Sequence, residues 1–350
     1  MAPKLYLHFG THKTGTTTIQ KFAEAHRDKL LQRGLLYPTY QAVIDEKPYA
    51  HHQFSKAVAE QGARLDFKAV KQLASAWYDQ ALAANADVLV SAESMYRMVM
   101  SGFNSWEQGR EEYLKRLAEV FSNFDVCALI VFRRPDNFVH SLYQENVMQG
   151  LQNAKVPFEK FREEIIDPFL RYSDHARLIS KYFTNVKVEI FETLCKNNQL
   201  SNNFFKLIGH DFSDLIEEKR IRKSLTAPET LAKFFLNKSG PTEKQSNVLV
   251  GWLQTEAVKK ILGRQYDQTK YHLWESHQAR QDFLASRNED IQQLGEQFIP
   301  GSGEVFPLLV DTGHIGVPKL TDKTKSRLVK EAMFGLGVGD LPDSSKAYRK

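Results

Sequence analysis

Short apolar segments alternate with amphipathic segments along the first half of the chain. Buried strands are predicted for five segments, at residues 4–9 (KLYLHF), 34–38, 87–91, 126–132 (VCALIVF) and 186–191. The segment 126–132 is apolar on both faces, which is typical of a central parallel strand. Helical spacing predicts the intervening helices, at residues 16–33, 67–85, 107–122 and 135–149. This alternation predicts an α/β fold, with a parallel sheet flanked by helices.

Helical patterns dominate after about residue 204, over residues 227–236, 245–262 and 276–298. Residues 40–62 and the glycine-rich stretch 301–316 are predicted as loops, and the polar tail from Asp340 as mobile. Since no repeat and no glycine-serine linker divides the chain, we predict one domain over residues 1–300. Its α/β core covers about 4–192, helices over about 200–300 complete it, and residues 301–350 form a C-terminal extension.

Composition narrows the class of protein. Charged residues make up 25% and hydrophobic residues 42% of the 350 positions, as in ordinary soluble globular proteins. The net charge of +5 suits an anionic ligand but is too small to argue for a nucleic-acid partner. Two cysteines, Cys127 and Cys195, cannot build a disulfide framework, which favours a reducing compartment. The N-terminus lacks a signal-peptide core and no apolar run approaches 18 residues, so we expect a cytoplasmic protein without a membrane segment.

The first predicted strand leads into a glycine loop, GTHKTG, and then into a helix. Backbone amides of such a loop and the positive end of the helix dipole converge on one point and favour an anion. Gly10 and Gly15 keep the spacing of the ATP-binding P-loop, but Thr16 stands where that loop has its lysine. The lysine here is Lys13, two residues before Gly15. The alternative is a plain glycine turn with a threonine cap.

Reactive side chains follow three of the predicted parallel strands. Ligands of such sheets bind beyond the carboxyl ends of the strands. Lys13 follows the first strand, Glu93 the strand at 87–91, and Arg133 and Arg134 the strand at 126–132, with Ser141 on the next helix. A lysine, a carboxylate, two arginines and a serine at one edge suit a doubly anionic ligand and one general base.

Two of these motifs resemble those of the sulfotransferases. The segment GTHKTGTT is similar to their 5′-phosphosulfate loop, in which the lysine precedes the second glycine. The segment VFRRPDNFVHS is similar to their 3′-phosphate motif, in which a serine follows a strand-end arginine by eight residues, as Ser141 follows Arg133. The resemblance covers residues 4–192 in motif order. It implies a P-loop-type fold and 3′-phosphoadenosine 5′-phosphosulfate (PAPS) as the donor.

The resemblance also implies roles for these residues. The loop amides of residues 12–17 and the side chains of Thr16 and Thr17 would hold the 5′-phosphate, and the donor-binding set is Lys13, Thr14, Gly15, Thr16, Thr17, Arg133 and Ser141. Lys13 would lie beside the bridging oxygen, where negative charge grows as the S–O bond breaks. Arg133 and Ser141 would hold the 3′-phosphate, for which the planar fork of arginine is suited. Because a sulfuryl group carries less charge than a phosphoryl group, no metal is expected.

The candidates for the general base are the carboxylate of Glu93 and a histidine. Glu93 resembles the arrangement of family members that use a glutamate after a middle strand, and partial shielding there would raise its pKa toward that of a base. Rival bases are His12, His51 and His52, and the predicted catalytic set is Lys13, Glu93 and His12. Glu93 could instead be a helix cap.

Several alternatives stay open at this point. Arg222 or Lys223 could close over the 3′-phosphate, or form a solvated charge run. The acceptor could be a hydroxyl or an amine of a glycan or a small molecule. Two other classes of function are a P-loop kinase of a small molecule and a catalytically inactive binding protein on the same fold.

Overall fold

The chain is described here by a computed structural model, which covers residues 2–11, 13–62, 64–151, 155–165, 167–216, 224–238, 240–263, 271–301, 303–311, 313 and 316–335. The chain divides into two compact units. The first comprises Met1–Arg134, Arg171–Ile221 and Glu289–Pro307, and the second Pro135–Leu170, Arg222–Asn288 and Leu308–Lys350.

A five-stranded parallel sheet organises the first unit. Its strands are β1 (Lys4–Gly10), β2 (Leu35–Leu36), β3 (Asp87–Ser91), β4 (Asp125–Phe132) and β5 (Asn185–Ile190). They pair in the order β2-β3-β1-β4-β5, and every pair is parallel. This confirms the predicted α/β class. Because β1 lies between β3 and β4, the carboxyl ends of these three strands meet at one edge.

Helices flank the sheet and make up most of the second half of the described chain. Those before residue 217 are α1 (Thr16–Ala25), α2 (Arg27–Gln32), α3 (His52–Val58), α4 (Phe67–Ala84), α5 (Ser94–Arg97), α6 (Trp106–Val120), α7 (Pro135–Gln149), α8 (Phe158–Lys160), α9 (Asp167–Leu170), α10 (Tyr172–Ser180), α11 (Phe191–Leu194) and α12 (Leu200–Leu207). Those after it are α13 (Ala227–Asn237), α14 (Glu243–Leu253), α15 (Glu256–Leu262), α16 (His277–Ala285), α17 (Asn288–Phe298) and α18 (Asp322–Gly335). The helical C-terminal half is thereby confirmed. In the parts of the chain that are described, no helix combines the length and the apolarity that crossing a bilayer requires.

Three predicted helices are each two helices in the structure. The predicted helix 16–33 breaks at His26, whose φ of −116° is not helical. The imidazole Nε2 of His26 lies 3.0 Å from the carbonyl oxygen of Ile216, a contact that the local pattern cannot reveal. The predicted helix 245–262 breaks at Thr255, which has an extended conformation and caps α15. The third, 276–298, is divided between α16 and α17.

The two faces of β1 differ in character. Leu5, Leu7 and Phe9 point to one face and are fully buried. Tyr6 and His8 point to the other, where Tyr6 belongs to a core cluster with residues of α1 and α12. This second face therefore carries a fully buried polar side chain, His8, beneath the helix that follows the glycine loop.

The second unit has its own apolar core. Leu236 of α13, Leu249 of α14 and Leu328 of α18 are among its buried members. Lys233 is also fully buried, and its ammonium donates a hydrogen bond of 2.8 Å to the Ser246 hydroxyl. Burial lowers the pKa of Lys233 to about 8.

Candidate functional site

The loop between β1 and α1 turns on two left-handed residues. Lys13 and Gly15 both have a φ of 67°, and Gly15 is the N-cap of α1. The first amides of the helix to find a backbone acceptor are those of Thr18 and Ile19, which donate to the Gly15 carbonyl at 2.9 and 3.2 Å. The amides of Thr16 and Thr17 precede these bonds, and such groups at a helix start need an acceptor from outside the helix. This is the local geometry of an anion site.

Gly15 is required by a neighbour distant in sequence. A Cβ atom at this position would lie 2.2 Å from Cδ2 of Leu200 and 3.1 Å from Cε2 of Phe191. Leu200 begins α12, so that helix closes directly against the loop. The glycine spacing identified the position in the sequence, but the packing of α12 explains why a side chain cannot be accommodated there.

The inner threonine hydroxyls of the loop bond to the loop itself. Thr14 Oγ1 donates to the carbonyl oxygen of Thr11 at 2.6 Å. Thr16 Oγ1 lies 3.2 Å from Thr14 Oγ1, and since the proton of Thr14 is already used, Thr16 is the donor. Thr14 and Thr16 are buried, whereas Thr17 is exposed. A contact of Thr16 with an anion would therefore run through its backbone N–H.

Arg133 joins the loop from the carboxyl end of β4. Its guanidinium donates from Nη1 to the carbonyl oxygen of Lys13 at 2.8 Å and lies 5.2 Å from the ring centre of Phe191. The hydroxyl of Tyr172 donates to the Arg133 carbonyl at 2.8 Å. Lys13 and Arg133, which are 120 residues apart, thus meet as the strand order predicts. The contact of Arg133 with a 3′-phosphate stays a prediction.

Arg134 and Ser141 have different surroundings. The Arg134 side chain is 9% exposed and donates from Nη1 to the carbonyl oxygen of Pro307 at 3.0 Å. Its backbone N–H lies 3.2 and 3.3 Å from the two carboxylate oxygens of Glu192. Ser141 is a buried residue of α7 in the second unit. Arg133 therefore bonds to the glycine loop, and Arg134 bonds to the chain near Pro307.

Glu93 lies just past β3, next to β1 in the sheet. It is half-buried and has helical backbone angles at the start of α5. Its carboxylate is close enough to His8 to act on that group: burial lowers the pKa of His8 to about 3, and the charge of Glu93 opposes the shift. The predicted carboxylate is therefore at the same edge of the sheet as the loop.

The histidine rivals fall into distinct environments. His51 is fully buried, its Nδ1 accepts from the Ser91 N–H at 3.1 Å, and its Nε2 donates to the Pro38 carbonyl at 3.2 Å. Burial lowers the pKa of His51 to about 4. His52 is half-buried, with Nδ1 3.1 Å from the hydroxyl of Ser94, the residue after Glu93. Both ring nitrogens of His51 are thus engaged by the backbone, whereas His52 contacts the residue that follows Glu93 in the chain. His12, Arg222 and Lys223 lie outside the described residues.

A buried polar cluster beneath the loop was missed in the sequence. His8 Nδ1 lies 2.9 Å from Ser91 Oγ, and Gln20 Nε2 lies 3.2 Å from the same hydroxyl. All three side chains are fully buried. The available signal was a histidine within an otherwise apolar strand, together with a glutamine on the apolar face of the following helix.

Two further features bear on the site. Within the described ranges, no group of three or more His, Cys, Asp or Glu side chains is arranged to hold a metal ion, and metal independence stays a prediction. A surface cavity of about 210 Å³ is lined by Lys71 and Tyr78 of α4 and by Phe124, just before β4 begins. It lies toward the amino end of β4 and is not part of the candidate site.

The chain has a distant structural neighbour among solved proteins. No family model matches the chain, and no curated protein matches it at a significant level. The crystal structure of a sulfotransferase from Alicyclobacillus acidocaldarius is 15% identical, with a TM-score of 0.39 over 72% of this chain and 96% of that chain. The α/β assignment rests on the sheet of this chain itself.

Proposed function

We propose that the protein is a sulfotransferase that moves the sulfuryl group of PAPS to a hydroxyl or amine of a glycan or small-molecule acceptor. The observation that carries the proposal is the loop around Lys13. Its cation precedes the helix-capping Gly15 by two residues, and its carbonyl is held by Arg133. An ATP-binding loop has its lysine one residue after the second glycine instead.

The lysine position suits a donor without a γ-phosphate. In PAPS the leaving group is the 5′-phosphate, and charge grows on the oxygen that bridges it to sulfur. The amides of Thr16 and Thr17 at the start of α1 are suited to hold that phosphate. Lys13, earlier in the loop, would then stabilise the bridging oxygen, an effect realised most strongly in the transition state.

Arg133 would contact both the loop and the bound PAPS. A guanidinium carries five N–H donors in a planar fork that suits a phosphate, and one of those of Arg133 bonds to the Lys13 carbonyl. Ser141, eight residues further on at the second turn of α7, is its proposed partner on the 3′-phosphate. Both assignments rest on the motif resemblance and on the meeting of Arg133 with the loop.

The proposed reaction is a direct in-line transfer. The acceptor oxygen or nitrogen bonds to sulfur while the bond from sulfur to the 5′-phosphate oxygen breaks, and 3′-phosphoadenosine 5′-phosphate leaves. Glu93 takes the acceptor proton; its half-buried position at the end of β3, the strand next to β1, supports this role. The engagement of both His51 nitrogens by backbone groups favours Glu93 over His51. His52 and His12 are the alternatives.

Calorimetry and product analysis test the proposal together. We expect 3′-phosphoadenosine 5′-phosphate to bind far more tightly than ATP, and mass spectrometry to detect a sulfated product from PAPS and an acceptor extract, also in the presence of EDTA. Tight ATP binding without a response to the 3′-phosphorylated nucleotide would overturn the proposal in favour of a P-loop kinase. Donor binding without turnover would favour an inactive binding protein, and loss of turnover with EDTA would contradict the metal-independent step.

A further inference from the structure

The direction of the hydrogen bonds in the buried cluster can be read from Gln20. Its Nε2 atom lies 3.3 Å from the carbonyl oxygen of Ser91 and 3.2 Å from the Ser91 hydroxyl. A carbonyl oxygen only accepts, so the amide nitrogen, and not the amide oxygen, must face it. The second N–H of Gln20 then donates to Ser91 Oγ.

This fixes the tautomer of His8. Ser91 Oγ accepts from Gln20, and its own proton has one other polar neighbour in the described residues, His8 Nδ1 at 2.9 Å. If His8 donated instead, the Ser91 proton would be buried without an acceptor, which costs free energy. Ser91 therefore donates to Nδ1. Burial keeps the ring neutral, since it lowers the pKa to about 3, so the single ring proton is on Nε2.

The Nε2–H of His8 is directed at the glycine loop. It is fully buried and has no hydrogen-bond partner among the described residues. A Cβ atom placed on Gly10 would lie 3.5 Å from this nitrogen and 2.6 Å from Thr16 Oγ1. Both polar atoms thus border the space that Gly10 leaves without a side chain. Thr16 in turn points its proton at Thr14, and Thr14 at the Thr11 carbonyl.

We propose that His8 is a positioning residue of the anion-binding loop, whose buried Nε2–H turns the positive end of its dipole toward the space beside Gly10 and so keeps a donor, and not an acceptor, against the loop. The hydroxyl protons of Thr16 and Thr14 point within the loop, and the backbone amides at the start of α1 are left for the anion. A neutral N–H dipole with its positive end toward the loop also adds to the field of the helix terminus. The anion is taken to be the 5′-phosphate of the donor, so this part rests on the proposed function.

Two substitutions of matched chemistry test the role of Nε2. In His8→Gln the side-chain amide reaches the place of Nε2, whereas in His8→Asn it reaches only that of Nδ1. By calorimetry, we expect 3′-phosphoadenosine 5′-phosphate to bind His8→Gln within about threefold of the wild type and His8→Asn about tenfold more weakly, within the range of a partly buried electrostatic contact at a helix terminus. A merely structural role would lower the thermal midpoint of both variants without separating their affinities, and equal affinities would overturn the proposal.

The tautomer of His8 can be tested in the wild-type protein, without any substitution. Nitrogen NMR of protein with labelled histidines distinguishes the two neutral tautomers, and His8 is expected as the Nε2–H form at pH 7. The Nδ1–H form, or a charged ring, would overturn the inference while leaving nucleotide binding as evidence for the proposed function. If the wild type binds no 3′-phosphorylated nucleotide, the proposed function fails. The tautomer found by NMR then still shows whether the N–H of His8 faces the loop.

Discussion

Gly15→Ala should destabilise the protein much more than an ordinary loop glycine substitution. Two costs apply at this position. The first is the left-handed φ of 67°, which costs a residue with a Cβ atom about 1–2 kcal/mol. The second is the approach of the new Cβ to 2.2 Å from Leu200 Cδ2, which forces α12 or the loop to move and adds about 1–3 kcal/mol, the usual range for overpacking.

Gly34→Ala is the matched control. Gly34 has a φ of 83° in the same unit, but a Cβ atom there meets nothing within 4 Å. It therefore carries the backbone cost without the steric one. We expect Gly15→Ala to lose about 2–5 kcal/mol of unfolding free energy and Gly34→Ala about 1–2 kcal/mol. Urea unfolding followed by circular dichroism measures both, provided that the slopes agree.

A double-mutant cycle with Leu200→Ala isolates the contact. In the Leu200→Ala background the Cδ2 atom is gone, so Gly15→Ala should cost clearly less than in the wild type, with the backbone cost and the 3.1 Å contact to Phe191 remaining. Two results would refute the reasoning: equal losses for the two glycine variants, or an undiminished cost of Gly15→Ala in the Leu200→Ala background. Either would mean that α12 does not confine the loop.

Three other perturbations probe the proposed chemistry and the buried histidines. Arg133→Ala should weaken calorimetric binding of 3′-phosphoadenosine 5′-phosphate by about 1.5–3 kcal/mol, the scale of a hydrogen bond to a charged group, and barely affect adenosine 5′-phosphosulfate. An equal loss for both ligands would show that Arg133 acts through the Lys13 carbonyl. Glu93→Gln should keep donor affinity and lower turnover roughly 10²–10⁴-fold, the usual contribution of a base, whereas near-normal turnover together with an inactive His52→Gln would transfer that role to His52. The folded-state pKa of His51 is about 4, below its unfolded value of 6.5, so the unfolded chain binds more protons between these values. The contribution of His51 to stability is therefore present above pH 6.5 and lost toward pH 4, by up to about 3 kcal/mol. Urea unfolding at several pH values measures this loss. A His51→Gln variant whose stability changes with pH as much as that of the wild type would contradict the assignment to His51.

Elements with a strong local signal were predicted well from the sequence. The helix over 135–149 and the strand over 87–91 have the predicted bounds, because a helix-starting proline and an apolar strand are local features. The helix His52–Val58 was wrongly predicted as loop. Its apolar side chains are few, and Phe54 is buried through contacts with Trp77 of α4 and with Phe121, the residue after α6. Such tertiary packing overrides a weak local pattern.

One part of the candidate site could be predicted from the sequence and another part could not. That Lys13, Glu93 and Arg133 share one edge follows from strand order alone, because β3, β1 and β4 are adjacent and parallel. Strand order is not enough to predict the buried polar cluster beneath the loop, because the register of the strands must also be known. His8 and Ser91 are register partners between β1 and β3, so their side chains lie on the same face at the same level of the sheet.

Register is the quantity that the apolar pattern of β1 and β3 cannot supply. Both strands are buried on both faces, so shifting one by a residue exchanges apolar for apolar at almost every position and leaves little trace in the pattern. The fully buried polar pair opposes the shift, because a slipped register would separate His8 from Ser91 and bury each without its partner. His8 and Ser91, which direct an N–H group at the loop, therefore also specify how β1 and β3 align. The same two residues connect the stability of the sheet with the shape of the candidate site.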